Sequence, residues 1–345
     1  MGYKYVALDK FGGPEVLTVR EKDDLPEPGP SEVRIKILAT SAAFTDTLVR
    51  RGIYPDVTEQ PPITPGYDLI GTVDKLGSGV SSLECGQTVA ELTITGAYAE
   101  YIVLPAQRLT PVPEGLDSAE AVSLILTFVT AYQMLKRIAK AQPKHKILIH
   151  GAGGAVGSAL LQLGRLLELK MYGTAGKRQH DFLRQFGCVP IDYRDEDFVE
   201  FLAQSERDGV DAVFDAIGGA NYKRSLKVLN KTGRLVAFGS YHAQSSLSLA
   251  VDFLKIHLWN LAPWLPTCAF YSIGAWHKKH HDWFREDLRQ LFDWLSEGKI
   301  NPTIAKKMRL EEASEAHALI EKGGITGKIV LLTQPISEPD DTAAR

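Results

Sequence analysis

The most informative stretch of this sequence is Lys146-Ile147-Leu148-Ile149-His150-Gly151-Ala152-Gly153-Gly154-Ala155-Val156-Gly157. An apolar run of strand length ends at His150, and a glycine cluster follows at once. Residues 156–169 then place four leucines on one helical face. A strand, a glycine turn and a helix in this order are typical of a βαβ unit that binds a dinucleotide.

Glycines recur here with a spacing of three, at Gly151, Gly154 and Gly157, although Val156 takes the last glycine position of the strict pattern begun at Gly151. Glycine allows a tight turn, a close approach of the backbone to a pyrophosphate and close helix–sheet packing. The helix N-terminus adds free N–H groups for the phosphates. The alternative is a glycine-rich turn without a ligand. We predict phosphate contacts from Gly151, Gly153, Gly154, Ala155, Val156 and Gly157.

The residues that end the second predicted strand indicate which dinucleotide binds. The sequence there is Gly173-Thr174-Ala175-Gly176-Lys177-Arg178, without the Asp or Glu that usually binds the ribose of NAD. Lys177 and Arg178 would instead attract a 2′-phosphate through charge-assisted hydrogen bonds. We therefore expect NADPH rather than NADH, with contacts from Thr174, Gly176, Lys177 and Arg178. The two cations are also compatible with a solvated start of the next helix.

The rest of the chain predicts an α/β fold with a second, β-rich part. Residues 33–38, 70–73 and 98–103 have strand-like patterns, and residues 118–139 have helical composition. From residue 146 onwards strands and helices alternate, which predicts a doubly wound parallel sheet of the Rossmann type. Its predicted strands are 146–150, 169–174, 211–216, 234–238 and 268–273. A long helix over 283–297 and a strand over 328–333 follow.

Composition narrows the function classes. The 345 residues carry a net charge of −3, so nucleic acid is not an expected partner. Three dispersed cysteines and the lack of an apolar leader favour a reduced, cytoplasmic location. No apolar run reaches membrane-spanning length by inspection, and membrane contact is not expected. Residues 335–345 have the composition of a loose polar tail.

Two further segments have open interpretations. Residues 247–266, with Trp259 and Trp264, suit a pocket-lining or subunit-contact helix, or else contact with a membrane surface. His277, His280 and His281 have a spacing that would suit a metal ion. We expect instead a solvated helix start beside two lysines, and we predict no metal site.

Ordered motifs along the chain resemble the quinone oxidoreductase (zeta-crystallin-like) family of the medium-chain dehydrogenases/reductases. The likeness covers about residues 3–333. It rests on the glycine turn and on five segments: Pro65-Gly66-Tyr67-Asp68-Leu69-Ile70-Gly71, Gly96-Ala97-Tyr98-Ala99-Glu100-Tyr101, Thr130-Ala131-Tyr132, Gly298-Lys299-Ile300 and Thr326-Gly327-Lys328-Ile329-Val330. It implies a GroES-like substrate domain from residues 1–120, a Rossmann domain from 121–275, and a return to the substrate domain with a flexible tail over 276–345. It also implies a homodimer, and the strand predicted over 268–273 could pair at an exposed edge.

The same resemblance implies further cofactor contacts. Thr130 would lie near the nicotinamide, and Tyr193 near the adenosine phosphate. Plain core packing is the alternative for the apolar positions. The remaining implied contacts are Ile217, Phe238, Gly239, Ser240, Phe270, Tyr271 and Ser272.

Zinc enzymes of this superfamily hold their catalytic metal at positions that correspond here to Ala43, Tyr67 and Leu126. Alanine and leucine cannot bind zinc, and tyrosine rarely does. The loss of a Lewis acid makes reduction of an isolated carbonyl difficult. A conjugated acceptor needs this help less, because its charge delocalises. We therefore expect NADPH-dependent hydride transfer to quinones or to the C=C bond of α,β-unsaturated carbonyls.

Three hydroxyls are the candidate catalytic groups. Tyr54 is the first candidate for positioning substrate or donating a proton, Tyr67 is the second, and Thr45 occupies the relay-hydroxyl position of the zinc enzymes. Each tyrosine could instead be a buried ring bonded to the backbone. The expected partner is a small, apolar quinone or enone. The alternatives are an enoyl-thioester reductase, or a nucleotide-binding structural or membrane-associated protein with little catalysis.

Overall fold

The computed structural model of the protein describes residues 2–241, 245–261 and 266–334. Its strands are β1 Tyr3–Leu8, β2 Leu17–Lys22, β3 Glu32–Ala42, β4 Leu69–Leu76, β5 Thr88–Glu91, β6 Tyr101–Pro105, β7 Thr110–Pro111, β8 Lys146–His150, β9 Lys170–Ala175, β10 Val189–Asp192, β11 Val210–Asp215, β12 Leu229–Ala237, β13 Thr267–Phe270, β14 Ile304–Arg309 and β15 Lys328–Leu332. Its helices are α1 Phe44–Arg50, α2 Ser118–Ile138, α3 Ala155–Leu166, α4 His180–Gln185, α5 Phe198–Ser205, α6 Ala220–Lys227, α7 Ser246–Trp259, α8 Ile273–Lys279, α9 His281–Ser296 and α10 Ala313–Lys322.

A six-stranded parallel sheet contains the sequence stretch that predicts dinucleotide binding. Its strand order is β10-β9-β8-β11-β12-β13, and β8 lies at its centre. Alternate residues of β8 face opposite sides, so Ile147 and Ile149 join one buried cluster with Leu160, whereas Leu148 joins another with Tyr222. Both faces are therefore covered, as a buried parallel sheet requires. The predicted doubly wound fold is confirmed.

A second, seven-stranded sheet is built from both ends of the chain. Its order is β14-β15-β3-β4-β5-β7, and β6 pairs with β3. Strand β15 from the C-terminal part lies antiparallel to β3 from the N-terminal part. This β-rich sheet and the parallel sheet together match the predicted fold class.

Helix α2 matches the range predicted as helical but is more apolar than the sequence inspection allowed. Its 21 residues satisfy the length and hydropathy of a membrane span, so the expectation that no run reaches this length was wrong. However, 83% of the apolar stretch of this helix is buried inside the protein. The helix is apolar because it forms the core beside the parallel sheet, where it contributes Leu124, Phe128 and Leu135. Its start is capped by the Asp117 carboxylate, which accepts from two backbone N–H groups.

The last strand of the parallel sheet is shorter than predicted. We expected a strand over 268–273, but β13 ends at Phe270. The reason is that the Ser272 hydroxyl accepts from the N–H of Ala275 and so begins α8. Trp264 and the predicted tail over 335–345 lie outside the described residues.

Candidate active site

The glycine turn after β8 has the geometry that a pyrophosphate site needs. Gly151 has a φ of 66°, which disfavours other residues. A Cβ on Gly157 would lie 2.6 Å from the carbonyl oxygen of Ala152 and would also overlap that of Gly151. Helix α3 begins at Ala155, so the N–H groups of its first turn lack partners within the helix. The turn therefore fits a dinucleotide phosphate.

A buried hydrogen-bond chain supports this turn from below. The Gly151 N–H donates to the Thr174 hydroxyl at 3.3 Å, and that hydroxyl lies 3.1 Å from Nδ1 of His150. Nε2 of His150 lies 3.1 Å from the Ser225 hydroxyl, which donates to the Asp215 carboxylate at 2.7 Å. Burial lowers the pKa of His150, so the neutral imidazole is favoured. The predicted contact Thr174 thus holds the turn through its side chain.

Cations gather where β9 ends. Lys177 and Arg178 are exposed in the turn after β9, and neither forms an ion pair within the described part of the chain. A Cβ on Gly176 would lie 3.7 Å from a guanidinium nitrogen of Arg194 and 3.9 Å from the ring of Tyr193. Arg194 was missed as a cofactor contact, although it follows Tyr193 directly in the sequence. The structure therefore places three cations beside the predicted adenosine end.

Other predicted cofactor residues follow the ends of neighbouring strands. Ile217 comes after β11, and its N–H donates to the Asp215 carboxylate at 2.8 Å. Phe238, Gly239 and Ser240 come after β12. The Ser240 hydroxyl donates a hydrogen bond to the Asp252 carboxylate at 2.9 Å, and the Gly239 carbonyl accepts one from the Tyr222 hydroxyl. These groups lie at the same edge of the sheet as the glycine turn because all the strands are parallel.

The end of β13 and the two residues after it direct their side chains towards three different parts of the protein. Phe270 packs on Phe253 of α7, with ring centroids 5.5 Å apart. Tyr271 is buried, and its hydroxyl donates to Gln133 at 2.8 Å in the core. Thr130 is also buried. The Ser272 hydroxyl reaches Asp56 at 3.1 Å. Their contacts with a cofactor stay predictions.

A pair of tyrosines forms the centre of the second half of the site. The hydroxyls of Tyr54 and Tyr67 are 2.6 Å apart, and the rings meet edge to face. Burial raises the pKa of both phenols well above the ordinary value, so both stay protonated at neutral pH. A Cβ on Gly274 would lie 2.9 Å from the Tyr67 hydroxyl, so glycine there leaves room for the pair. The Thr45 hydroxyl is buried and has no hydrogen-bond partner among the described residues.

Three buried charged groups interact electrostatically with one another, and one of them also acts on the tyrosine pair. Asp46, Asp68 and Lys328 are almost fully buried. Burial, with help from the nearby Asp68, raises the pKa of Asp46 to about 7. Burial lowers the pKa of Lys328, while the two carboxylates oppose that shift. Lys328 was missed as a candidate residue, because its electrostatic interaction with Asp68 and Asp46 joins distant parts of the chain.

The positions that bind catalytic zinc in related enzymes do not fit a metal here. Ala43, Tyr67 and Leu126 belong to one apolar cluster that also includes Tyr54. The only oxygen that these three side chains offer is the Tyr67 hydroxyl, which is already bonded to Tyr54. No step of the chemistry can therefore be assigned to a metal at this position.

The prediction of a solvated histidine cluster was wrong. His277 is buried, and His281 is partly buried. Helix α8 ends at Lys279 and α9 begins at His281, so the three histidines do not share one helix. His280 instead stacks on Trp283 at 4.0 Å. His277 lies close to Glu91 of β5, a contact that the spacing of the histidines does not indicate.

Two sequence families match parts of the chain. Residues 29–114 match the family described as alcohol dehydrogenase GroES-like domain. Residues 188–331 match the family described as zinc-binding dehydrogenase.

Individual relatives cover nearly the whole chain. The 2-haloacrylate reductase of Burkholderia sp is 31% identical over 95% of this chain and 98% of its own length. The human synaptic vesicle membrane protein VAT-1 homolog is 28% identical over 96% of this chain and 87% of its own. The crystal structure of Escherichia coli quinone oxidoreductase complexed with NADPH has a TM-score of 0.83 and 26% identity, covering 95% of this chain and 99% of that chain.

The chain therefore belongs to the zinc-independent quinone oxidoreductase family of the medium-chain dehydrogenases/reductases. The family resemblance drawn from the sequence motifs is confirmed.

Proposed function

We propose that this protein is an NADPH-dependent oxidoreductase that transfers hydride to quinones or to the C=C bond of α,β-unsaturated carbonyls. The observation that carries the proposal is the Tyr54–Tyr67 hydroxyl pair, which lies among apolar side chains where related enzymes hold zinc. Such a site offers a proton donor but no Lewis acid, and this combination suits conjugated acceptors. The relatives named 2-haloacrylate reductase and quinone oxidoreductase support this substrate class.

The glycine turn and the cations after β9 are the proposed cofactor site. The N–H groups of Ala155, Val156 and Gly157 would hold the pyrophosphate, with Gly151, Gly153 and Gly154 leaving space for it. Lys177, Arg178 and Arg194 would bind the 2′-phosphate, and Tyr193 would cover the adenine side. We propose Thr130, Thr174, Gly176, Ile217, Phe238, Gly239, Ser240, Phe270, Tyr271 and Ser272 as the remaining neighbours of the cofactor.

Bound NADPH would supply the hydride, and this chain's residues would do the rest. The substrate's conjugated system would lie beside Tyr54, which is the more accessible of the two tyrosines. After hydride addition the charge rests on an enolate or hydroquinone oxygen, and a tyrosine hydroxyl can donate the balancing proton. Tyr67 orients Tyr54 through their shared hydrogen bond. Thr45 supplies a further hydroxyl at this end of the site.

Activity assays test this function directly. NADPH oxidation should be followed with phenanthrenequinone, with a simple enone and with a crotonyl thioester. Turnover with the first two acceptors supports the proposal. Preference for the thioester would support the alternative enoyl-thioester reductase. Tight NADPH binding without turnover of any acceptor would contradict the proposed catalysis.

We also propose a homodimer. Helix α7 exposes Leu247, Phe253, Leu254 and Leu258, and it lies against the edge strand β13. An apolar patch of this kind next to a sheet edge favours association with a second copy. Light scattering at micromolar protein should give a dimer mass, and Leu254→Asp should shift it towards the monomer. A monomeric mass for the unaltered protein would contradict the dimer.

A membrane-associated, weakly catalytic protein is the second candidate. The relatives named synaptic vesicle membrane protein VAT-1 homolog favour it, and the exposed leucines of α7 offer a surface. Co-sedimentation with anionic vesicles, combined with absent turnover, would support this candidate.

The main proposal also includes a cytoplasmic location and three domain segments. These segments are residues 1–120, 121–275 and 276–345.

A further inference from the structure

Three side chains from two parts of the fold bring metal-binding atoms together. Glu91 ends β5 of the seven-stranded sheet, His277 belongs to α8, and His281 begins α9. One carboxylate oxygen and one nitrogen from each imidazole all lie within 4.8 Å of one another. Nε2 of His277 is 3.4 Å from Oε1 of Glu91.

Each of these three side chains has one buried atom without a hydrogen-bond partner among the described residues. Nε2 of His277, Nε2 of His281 and Oε2 of Glu91 are buried and form no hydrogen bond within the described residues. Glu91 is fully buried and His277 is 6% exposed. A buried polar atom without a partner is costly, so three at one place need an explanation. A shared ligand would satisfy all three at once.

The chemistry of the groups favours a borderline transition metal. Two imidazoles and one carboxylate are a common set for zinc, with the fourth position open to water. The Glu91 carboxylate is close to both histidines and disfavours an anion.

The positive charge of Arg108 lowers the metal affinity that we expect, but it leaves one carboxylate oxygen free. Arg108 donates to Oε1 of Glu91 at 2.8 and 3.0 Å, which leaves Oε2 for a metal. A cavity of about 360 Å³ opens beside the histidines, and Asp56 and Glu59 line it together with Arg108. The cavity provides access and room for a water ligand, and its two carboxylates balance the two cations Arg108 and Lys278 that also line it.

The geometry points to a binding site for Zn²⁺ or a similar divalent transition metal at Glu91, His277 and His281. This site is separate from the catalytic-zinc position of related enzymes, which is apolar here. The ion joins β5 to the helices that follow β13, so it fastens the seven-stranded sheet to the end of the parallel sheet. The bound protein therefore gains thermal stability, since the metal binds only the folded chain.

Titration of the untagged protein with Co²⁺ tests the site, because tetrahedrally bound Co²⁺ absorbs in the visible range. One equivalent should bind, Zn²⁺ should displace it, and Zn²⁺ should raise the melting temperature. His281→Gln should weaken Co²⁺ binding about tenfold or more, and Glu91→Gln should do the same. His280→Gln is the matched control, because His280 is the neighbouring histidine and takes no part in the cluster.

Two results would overturn the site. The first is an absence of saturable Co²⁺ binding to the unaltered protein, which needs no variant to interpret. The second is equal Co²⁺ affinity in His281→Gln and His280→Gln. Unchanged NADPH affinity in each variant shows that the fold is intact.

Discussion

At the scale of single residues, the Tyr54 hydroxyl is the group whose removal tests catalysis most directly. Tyr54→Phe should lower kcat about tenfold or more, because it removes the proposed proton donor but keeps the ring. NADPH affinity should not change. Stopped-flow measurement of NADPH oxidation checks both values. Tyr132→Phe is the control, since the Tyr132 ring packs on Trp294 away from the tyrosine pair. An unaltered kcat in Tyr54→Phe would assign the proton to another donor.

The tyrosine pair also has a consequence for pH dependence. Burial raises the pKa of both phenols above the ordinary value. Both hydroxyls therefore remain protonated into the alkaline range, and kcat should show no loss below about pH 9 from their ionisation. A kcat profile measured from neutral to alkaline pH checks this. A fall in kcat near neutral pH that disappears in Tyr54→Phe would contradict it.

Cofactor choice depends on another set of residues, the cations after β9. Combined Lys177→Ala and Arg178→Ala should weaken NADPH binding about tenfold or more and leave NADH binding nearly unchanged, because only NADPH carries the 2′-phosphate. Fluorescence titration gives both dissociation constants. Lys231→Ala serves as a control that also removes a positive charge, since Lys231 is an exposed lysine in β12. Equal losses for NADPH and NADH would contradict a 2′-phosphate site.

At the scale of elements, the turn between β8 and α3 depends on the lack of a side chain at Gly157. Gly157→Ala should abolish measurable NADPH binding, because the added Cβ overlaps backbone oxygens that cannot move without opening the turn. Gly164→Ala lies on the same helix, but its Cβ would meet the flexible Met171 side chain. That variant should keep NADPH affinity with a modest loss of stability. Calorimetric titration separates the two, and normal NADPH affinity in Gly157→Ala would exclude the turn as the phosphate site.

The sequence patterns predicted the parallel sheet well because its signals are local. The apolar run over 146–150 is β8 without change, and the helix predicted over 156–169 is α3 with earlier ends. Strand β13 ends three residues earlier than predicted, because the Ser272 hydroxyl caps helix α8 and so ends the strand-like stretch. Boundaries of this kind depend on single side-chain contacts.

The site was only partly predictable for a different reason. Glycine, lysine and arginine at one turn are visible in the sequence, and so is the lack of zinc ligands. The contact of Glu91 with His277, and the electrostatic interaction of Lys328 with Asp68 and Asp46, join residues far apart in the chain. Periodicity and spacing carry no information about such pairs, so only the folded structure brings them together.

At the scale of the whole molecule, His317 makes stability depend on pH. It lies between Tyr98 and the buried Arg50, and burial lowers its pKa from 6.5 to about 3. Below pH 6.5 the unfolded chain binds a proton that the folded chain does not, so the folded protein loses stability as pH falls towards 3. The loss approaches about 1.4 kcal/mol per pH unit.

His317→Gln should remove this part of the acid sensitivity, because glutamine does not titrate and can still bond to both neighbours. Denaturant unfolding of both proteins between neutral and acidic pH checks the difference. If the free energy of unfolding falls equally with pH in the unaltered protein and in the variant, His317 is protonated in the folded state as well.

A main-chain hydrogen bond joins the turn that we assign to the phosphates to the residue before β15. The N–H of Gly327 donates to the carbonyl of Gly153 at 3.2 Å, and the next residue is the buried Lys328, which interacts electrostatically with Asp68 and Asp46. We therefore expect NADPH binding at the turn and acceptor binding near the tyrosine pair to influence each other. By reciprocity, an acceptor analogue that tightens NADPH binding must itself be bound more tightly by the same factor once NADPH is in place.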